Sequence, residues 1–427
     1  MKRYIVFLIM IFLGLFSGTV RAEEVLNWDD CVREAARNHP DLIAAVQGVN
    51  QSKAAKKITA STLFPQINSS VNAATAKTTT GESGDKTSQT QDAYSYGVSG
   101  SQLIFDGFQT INNVKAASEN IKASQQNYRF TSSTVRFRLR SAFIDLLKAQ
   151  DLILVARDIT KIRRDNLVLI TLRYQSGQEH RGALLNAEAN LAEAKFEMDQ
   201  AKRALEVAEQ ELNKEMGRET FVPVQIKGDF QVSDSAKEKP DFELLIQNNP
   251  SLLQLIAQKN AAAFSVKAAQ GSFFPTLSAQ GNAARASSHW LPGNDQWGLG
   301  LGLSLPIFEG GLRTAQVSQA KAILNETVAN ERSTRDGVIL SLEQTWASLQ
   351  NAIDNVGVQE KFLIATEERS KIAEAQYSIG TITYDNWTII EDDLVNAKKT
   401  FLNAQANALV SEANWILAKG ETLEHEK

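Results

Sequence analysis

The residues that most often carry chemistry are few and scattered in this chain. The four histidines stand far apart, at His39, His180, His289 and His425. No HExxH pattern is present and Cys31 is the only cysteine, so neither common zinc-binding pattern is available. The segment Gly97-Val98-Ser99-Gly100 is one residue short of a serine-nucleophile motif. We therefore expect no enzyme activity and no bound metal or cofactor.

The charge of the chain argues against a nucleic-acid partner. The formal net charge is −4, and it becomes −7 without residues 1–22, which contain Lys2, Arg3 and Arg21. Nucleic-acid-binding chains are usually basic. The carboxylates share helical faces with Lys and Arg, which is typical of a solvated surface. Cys31 can form no internal disulfide and is expected to fill a helix core.

The first 22 residues have the pattern of an export signal. Two basic residues, Lys2 and Arg3, precede an apolar run from Val6 to Phe16, and small residues surround Arg21. That apolar run is short for a membrane-spanning helix. We predict a signal peptide over residues 1–22 and export of the remainder.

The segment from Gln296 to Gly311 alternates with a period of two, which predicts a β-strand. Its large residues are Trp297, Leu299, Leu301, Leu303, Leu305 and Ile307, and those between them are small or weakly polar. A strand of a soluble sandwich is one interpretation. A wholly apolar face ending in tryptophan favours a transmembrane strand that faces lipid.

This strand has a copy earlier in the chain. Trp297 lies 203 residues after Tyr94, and the same offset relates Phe308-Glu309-Gly310 to Phe105-Asp106-Gly107. The apolar positions of the copy are Tyr94, Tyr96 and Val98. Before the hairpins the offset is 210, as between Phe64-Pro65 and Phe274-Pro275. The chain is therefore predicted to be an internal duplication.

Each copy of the strand is followed by a long helical segment. No Gly or Pro occurs between residues 108 and 176, and apolar residues recur there at alternating steps of three and four, which is a heptad pattern. A helix over about residues 110–174 would be about 98 Å long. Tyr174-Gln175-Ser176-Gly177 and Tyr377-Ser378-Ile379-Gly380 then predict tight turns, after which a second helix returns.

The predicted fold is mainly α with a small transmembrane β part in two tandem repeats. The signal peptide (1–22) is followed by a first repeat (23–216) with strands at about 64–76 and 92–106. A connector (217–240) leads to a second repeat (241–420), which has strands at about 273–287 and 296–308 and a long helix at about 311–376. A charged tail (421–427) ends the chain. Lys77–Gln91 is predicted to be a hairpin loop. Four strands cannot close a barrel in lipid, so two, three or four copies must combine.

The complete pattern resembles the TolC-type outer-membrane efflux and secretion channels. The resemblance rests on the duplication, on Asn249-Pro250 and Phe274-Pro275, on Phe105-Asp106-Gly107, and on the two Tyr-x-x-Gly turns. It implies a homotrimer with a twelve-stranded barrel in outer-membrane lipid and an α-helical tunnel in the periplasm. It also implies a periplasmic adaptor protein and an inner-membrane pump or ABC transporter as partners.

A channel of this kind must close at rest, and the Tyr-x-x-Gly turns predict two hairpin tips at its periplasmic end. Relatives carry acidic residues six and nine positions after the glycine of the second tip. The matching residues here are Asn386 and Ile389, so that feature is not carried over. The first tip has Ala183 at the matching sixth position.

We predict instead a gate closed by packing of Tyr377, Tyr384 and Trp387. Asn386 is expected to line it. Asp385 either lines the gate as well or only begins the last helix, where a carboxylate is favourable. The turn residues expected to shape the tips are Tyr174, Gly177 and Gly380.

Two other functions fit parts of the pattern. A periplasmic coiled-coil scaffold would need only the long helices, and it leaves the apolar face from Trp297 to Ile307 unexplained. A surface adhesin would need long outer loops, whereas the longer predicted loop has about 15 residues.

Overall fold

The computed structural model describes residues 24–80, 87–232 and 239–425. The predicted signal peptide lies outside them. Among the described helices, none combines the length and the apolar character needed to span a membrane. In chain order the elements are β1 (Glu24–Leu26), α1 (Trp28–Asn38), α2 (Pro40–Ser61), β2 (Gln66–Thr80), β3 (Thr87–Phe105), α3 (Gln109–Gln175), α4 (Arg181–Glu215), β4 (Val224–Ile226), α5 (Phe242–Ile246), α6 (Pro250–Gly271), β5 (Thr276–Ser287), β6 (Asn294–Ser304), α7 (Leu312–Ser378), α8 (Tyr384–Lys419) and a 3-10 turn (Leu423–His425).

The element order repeats, and the fold is mainly helical. Helix, strand, strand, long helix and returning helix occur once before the connector and once after it. The two long helices, α3 and α7, have 67 residues each. The described residues form two compact units that do not coincide with the two repeats. One unit contains residues 24–42, 132–232, 239–240 and 342–425, and the other contains residues 43–80, 87–131 and 241–341. Each unit thus takes segments from both halves of the sequence.

The second unit contains a four-stranded antiparallel sheet in the order β2-β3-β5-β6. The register places Val71, Tyr96 and Arg285 on one row, and Asn68, Ser99 and Asn282 on another. Because side chains alternate between faces along a strand, these two rows lie on opposite faces. The sheet therefore has one face rich in large apolar residues and one built of Ser, Asn, Gln, Gly and Ala.

The first hairpin is longer than the sequence pattern predicts. Pairing continues to Thr80↔Thr87, so most of Lys77–Gln91 is strand and the predicted loop is wrong. Cross-strand hydrogen bonds extend the ladder, from Thr75 Oγ1 to Asp92 Oδ1 (2.8 Å) and between Thr79 and Ser88 (3.0 Å). The Ser and Thr residues that suggested a loop are also good strand formers when their hydroxyls pair across the sheet.

The last strand is shorter than predicted. β6 ends at Ser304, so Leu305 and Ile307 lie beyond it although they continue the alternating pattern. Pro306 lacks the N–H that a ladder position needs. The side chains of both Leu305 and Ile307 are exposed.

Local signals set the starts of the shorter helices. Asn27 caps α1 and forms a capping box with Asp30, and Asn249 caps α6, whose first residue is Pro250. Proline suits this position because its missing N–H has no partner in the first turn of a helix. Cys31 is fully buried in α1, as expected for a residue of the helix core.

The connector contains a strand that the sequence did not reveal. β4 pairs in parallel with β1 in a two-stranded sheet. Gln150 of α3 holds this sheet through both of its side-chain groups: its Nε2 donates to the Ile226 carbonyl (3.1 Å), and its Oε1 accepts from the Ile226 N–H (3.0 Å). Two strands of three residues have no marked periodicity of their own, so only the fold brings them together.

The predicted charged tail begins with residues that are docked onto the fold. Thr422 and Leu423 are buried. The Leu423 N–H donates to Ser132 Oγ (3.2 Å), and Arg136 Nη1 donates to Glu421 Oε2 (3.2 Å). The single apolar residue Leu423 anchors the segment among polar neighbours.

Candidate functional site

Both hairpin tips end their long helices in the same way. Gly177 has φ +73° and Gly380 has φ +79°, a left-handed conformation that glycine adopts without a steric cost. The Gly380 N–H donates to the Tyr377 carbonyl (3.0 Å), and the Thr381 N–H donates to the Gln376 carbonyl (2.9 Å). The first tip has the same two bonds, so both Tyr-x-x-Gly sequences form the same helix-ending motif.

An aromatic cluster lies next to the second tip. Tyr377 and Trp387 stack with ring centroids 4.5 Å apart and planes at 9°. Tyr384 meets both rings edge-on, at 6.3 Å from Tyr377 and 6.5 Å from Trp387. All three side chains are buried, together with the small or aliphatic residues Ile170, Ala183, Ala187 and Ala373. The cluster, which we call the tip cluster, joins residues of both helical hairpins.

The first hairpin holds Tyr377 from two sides. The Arg173 guanidinium lies over the ring, 4.6 Å from its centroid, and Nη1 donates to the Tyr377 carbonyl (2.9 Å). The Tyr377 hydroxyl donates to Glu179 Oε2 (2.8 Å). Burial, followed by this bond to Glu179, raises the pKa of the Tyr377 hydroxyl well above its ordinary value. The hydroxyl therefore stays protonated and remains a donor at any physiological pH.

Polar contacts continue along the helices above the tip cluster. Arg163 of α3 pairs with Asp392 of α8, and Lys399 of α8 pairs with Glu197 of α4 at 2.6 Å. The buried Ser370 hydroxyl donates to Glu391 Oε1 (2.6 Å). Helix α8 is thus bonded to α3, α4 and α7.

The other residues predicted for the tips lie outside the tip cluster and are exposed. Asp385 and Asn386 are exposed in the first turn of α8, where Thr383 accepts the Asn386 N–H at 3.4 Å. Tyr174, the counterpart of Tyr377 in the first repeat, is also exposed. Sequence reasoning did not identify Arg173 or Glu179. Their positions beside the first Tyr-x-x-Gly turn were the only available signal.

The sheet brings the predicted barrel residues onto one face. Trp297 lies opposite Ala283, which lies opposite Val98, and Tyr96 lies opposite Val71. The large side chains of β6 are strongly exposed: Trp297, Leu299, Leu301 and Leu303. Near the loop end, Tyr94 contacts Trp290 edge-on with centroids 5.7 Å apart. This is a broad exposed apolar face with aromatic side chains at one end.

The opposite face forms a polar concavity. Its lining residues include Asn68, Ser99, Gln280, Asn282 and Gly300. The four charged residues of these strands are Lys77, Asp92, Arg285 and Asp295, and the register assigns all of them to the apolar face. Among the described residues there is no cluster of His, Cys, Asp and Glu suited to a metal ion.

Comparison with known proteins supports one family. The model of the outer membrane efflux protein family matches residues 31–218 and again residues 242–421. The outer membrane efflux protein BepC of Brucella suis is 22% identical over 363 residues, which cover 83% of this chain and 77% of BepC. The two matches of the family model fall on the two repeats.

Solved structures show the same fold. A membrane protein of Pseudomonas aeruginosa matches with a TM-score of 0.81 and 17% identity, over 94% of this chain and 97% of that chain. The outer membrane protein VceC of Vibrio cholerae matches with a TM-score of 0.78 and 18% identity, over 92% of this chain and 96% of that chain. With its two repeats both matched, the chain belongs to the outer membrane efflux protein family.

Proposed function

We propose that three copies of this chain form the outer-membrane duct of a tripartite efflux or type I secretion system. The protein is an outer-membrane efflux protein by family. In the proposed assembly its helices stand in the periplasm, where an adaptor protein connects them to an inner-membrane pump or ABC transporter. Small molecules or proteins would pass through without a chemical step in this chain.

The two-faced sheet carries this proposal. Its order leaves β2 and β6 at the edges of the four described strands, and lipid offers no hydrogen bonds to an open edge. Closing the sheet with other copies would direct the face with Leu301 to lipid and the face with Asn282 to the lumen. Three copies would give twelve strands, enough for an interior wider than the packed core of an eight-stranded barrel.

The tip cluster supports a closed resting state. Tyr377 is held in a stack between Arg173 and Trp387 and is tied to Glu179. If the tips converge around the axis of the assembly, this cluster would keep the α7–α8 hairpin inward. Opening would require the α7–α8 hairpin to break the contacts of Tyr377 with Arg173 and Glu179. The exposed Asp385 and Asn386 would then be the polar residues nearest the opening.

The alternative functions receive less support. A periplasmic scaffold has no use for a strand face as apolar as that of β6, and an adhesin does not need the buried contacts of the tip cluster. The family match places the chain among outer-membrane efflux proteins, which favours neither alternative.

The mass and conductance of the detergent-purified protein test the proposal. We expect a particle of three chains that is extracted only with detergent and that forms pores of low open probability in planar bilayers. Protein released by osmotic shock without detergent serves as the control for a periplasmic scaffold. A stable monomer, or a trimer without any conductance even after its tips are loosened by mutation, would contradict the proposed function.

A further inference from the structure

A histidine caps the turn between α1 and α2. His39 lies directly before Pro40, the first residue of α2, and its Nδ1 accepts the Asp41 N–H (3.1 Å). A backbone N–H can only donate, so this Nδ1 carries no proton, and the proton of the neutral ring lies on Nε2. His39 is 5% exposed, so water does not readily replace the cap. The bond therefore exists only while the ring is neutral.

The second repeat caps the matching helix with a group that does not titrate. Asn249 holds the position of His39 at the offset of 210 residues. Its Oδ1 accepts the Ser251 N–H (3.0 Å) at the start of α6. An amide oxygen accepts a hydrogen bond at any pH, whereas an imidazole nitrogen that has bound a proton cannot. The duplication thus pairs a proton-sensitive helix start with an insensitive copy.

Charged groups from three helices surround His39. Its Nε2 lies 3.4 Å from Glu215 Oε2 at the end of α4, and Glu215 is itself buried. Arg138 of α3 lies 3.4 Å from the same oxygen and also pairs with Asp41 of α2. Lys214 Nζ lies 2.9 Å from Glu215 Oε1. The charges of this cluster balance while His39 is neutral.

The turn that contains His39 is packed directly against the end of α4. Gly217 has φ +77°, and a Cβ on it would lie 2.5 Å from the Asn38 carbonyl oxygen, so backbone meets backbone there. Glu34 of α1 pairs with Arg218 Nε at 2.6 Å, which ties the two segments together without adding net charge. A turn held this closely leaves the imidazole little room to rotate away from the Asp41 N–H.

We propose that His39 is a proton-sensitive cap, and that its protonation in mild acid loosens the start of α2 and leaves the start of α6 unchanged. A proton on Nδ1 would place two N–H groups against each other. It would also add a positive charge to a buried cluster that is already balanced. Glu215 attracts the charged ring, but it already interacts with Arg138 and Lys214.

The direction of the pH effect follows from the chemistry of the ring. Histidine is the side chain that ordinarily changes its charge between pH 5 and 8. The cap is complete above this range and is lost as the pH falls through it. Acid would therefore act on one repeat only. This property goes beyond the proposed function and does not depend on it.

Hydrogen–deuterium exchange of the detergent-purified protein tests the cap. Each exchange rate is divided by that of the same peptide in the unfolded protein at the same pH, because the chemical exchange rate itself varies with pH. Between about pH 8 and about pH 5, we expect the first amides of α2 to lose protection by about twofold to thirtyfold, the range that helix caps contribute. The first amides of α6 should keep theirs.

Three variants identify the titrating group. His39→Asn brings the cap of the second repeat into the first, so the protection of α2 should no longer depend on pH. His289→Asn is the matched control, since His289 is exposed in the segment between β5 and β6, and it should leave the response of α2 unchanged. Glu215→Gln removes the carboxylate that attracts the charged ring, so the loss of protection should move to lower pH. A role of His39 in packing alone predicts no such movement.

Several outcomes would overturn the proposal. The starts of α2 and α6 could respond equally to pH, or neither could respond; this comparison uses the unmodified protein and is decisive even if a variant assembles poorly. An unchanged response of α2 in His39→Asn would mean that another group titrates. Greater protection of α2 in acid would mean that the attraction of Glu215 dominates. The trimeric duct is tested separately, by mass and conductance, and would stand in each of these cases.

Discussion

The hydroxyl of Tyr377 offers a sharp test of the closed tip. Replacing Tyr377 with Phe removes one oxygen and retains the ring. The stack on Trp387, with centroids 4.5 Å apart, and the Arg173 contact at 4.6 Å can both persist. Only the 2.8 Å bond to Glu179 is lost.

The size of the effect follows from burial and charge. The Tyr377 side chain is 1% exposed, and that of Glu179 is 10% exposed. A hydrogen bond to a charged group in such surroundings contributes about 1.5–3 kcal/mol. If opening breaks this bond, its loss should shift the closed–open equilibrium by roughly tenfold to a hundredfold in each subunit. The backbone N–H of His180 still bonds to Glu179 (3.1 Å), which favours the lower part of that range.

Single-channel recording in planar bilayers measures this shift. We expect Tyr377→Phe to raise the open probability and to leave the largest open conductance unchanged, because the lumen outside the tip is unaltered. Tyr174→Phe is the matched control, since Tyr174 holds the same position in the first repeat and is exposed. It should behave like the unmodified protein.

Two results would refute the reasoning. Equal open probability for Tyr377→Phe and the unmodified protein would mean that this bond does not resist opening. An equal increase for Tyr174→Phe would mean that the tips respond to any loss of a hydroxyl, and that the contact with Glu179 has no special role.

Two further predictions concern the sheet and the cysteine. Leu301→Arg should reduce the yield of folded trimer by an amount equivalent to about 2–4 kcal/mol if residue 301 faces the middle of the bilayer. The control Gln296→Arg, on the opposite face of the sheet, should fold normally. Equal yields of the two variants would contradict our assignment of the two faces. Burial, with Glu34 and Asp30 nearby, raises the pKa of the Cys31 thiol to about 12. Iodoacetamide at pH 8 should therefore leave the native protein unlabelled and label it after denaturation; rapid labelling of the native protein would show that α1 opens.

Much of the fold could be predicted because its signals are local. The alternation from Trp297 to Leu303 and the absence of Gly and Pro from residue 108 to residue 176 are properties of short windows, and they match β6 and α3. The offset between Tyr174 and Tyr377 is a comparison of the chain with itself. Local patterns were least reliable at element ends. Thr and Ser near Thr80 suggested a loop where a ladder continues, and Pro306 ended a strand whose apolar pattern continues.

The candidate site could be predicted only in part. Tyr377, Tyr384 and Trp387 are close in sequence, so their proximity followed from a turn and the start of a helix. Arg173 and Glu179 belong to the other hairpin, and no periodicity connects them to Tyr377.

The sequence by itself determined the duplication, the long helices, the alternating strands and the two glycine turns, because each depends on residue order over a short distance or on repetition at a fixed offset. Only the tertiary structure decided the pairing of β1 with β4, the docking of Leu423, and the hydrogen bonds of Tyr377 with Arg173 and Glu179. These contacts join residues from about 200 to about 290 positions apart. They depend on how elements pack, and short-range patterns in the sequence carry no information about that packing.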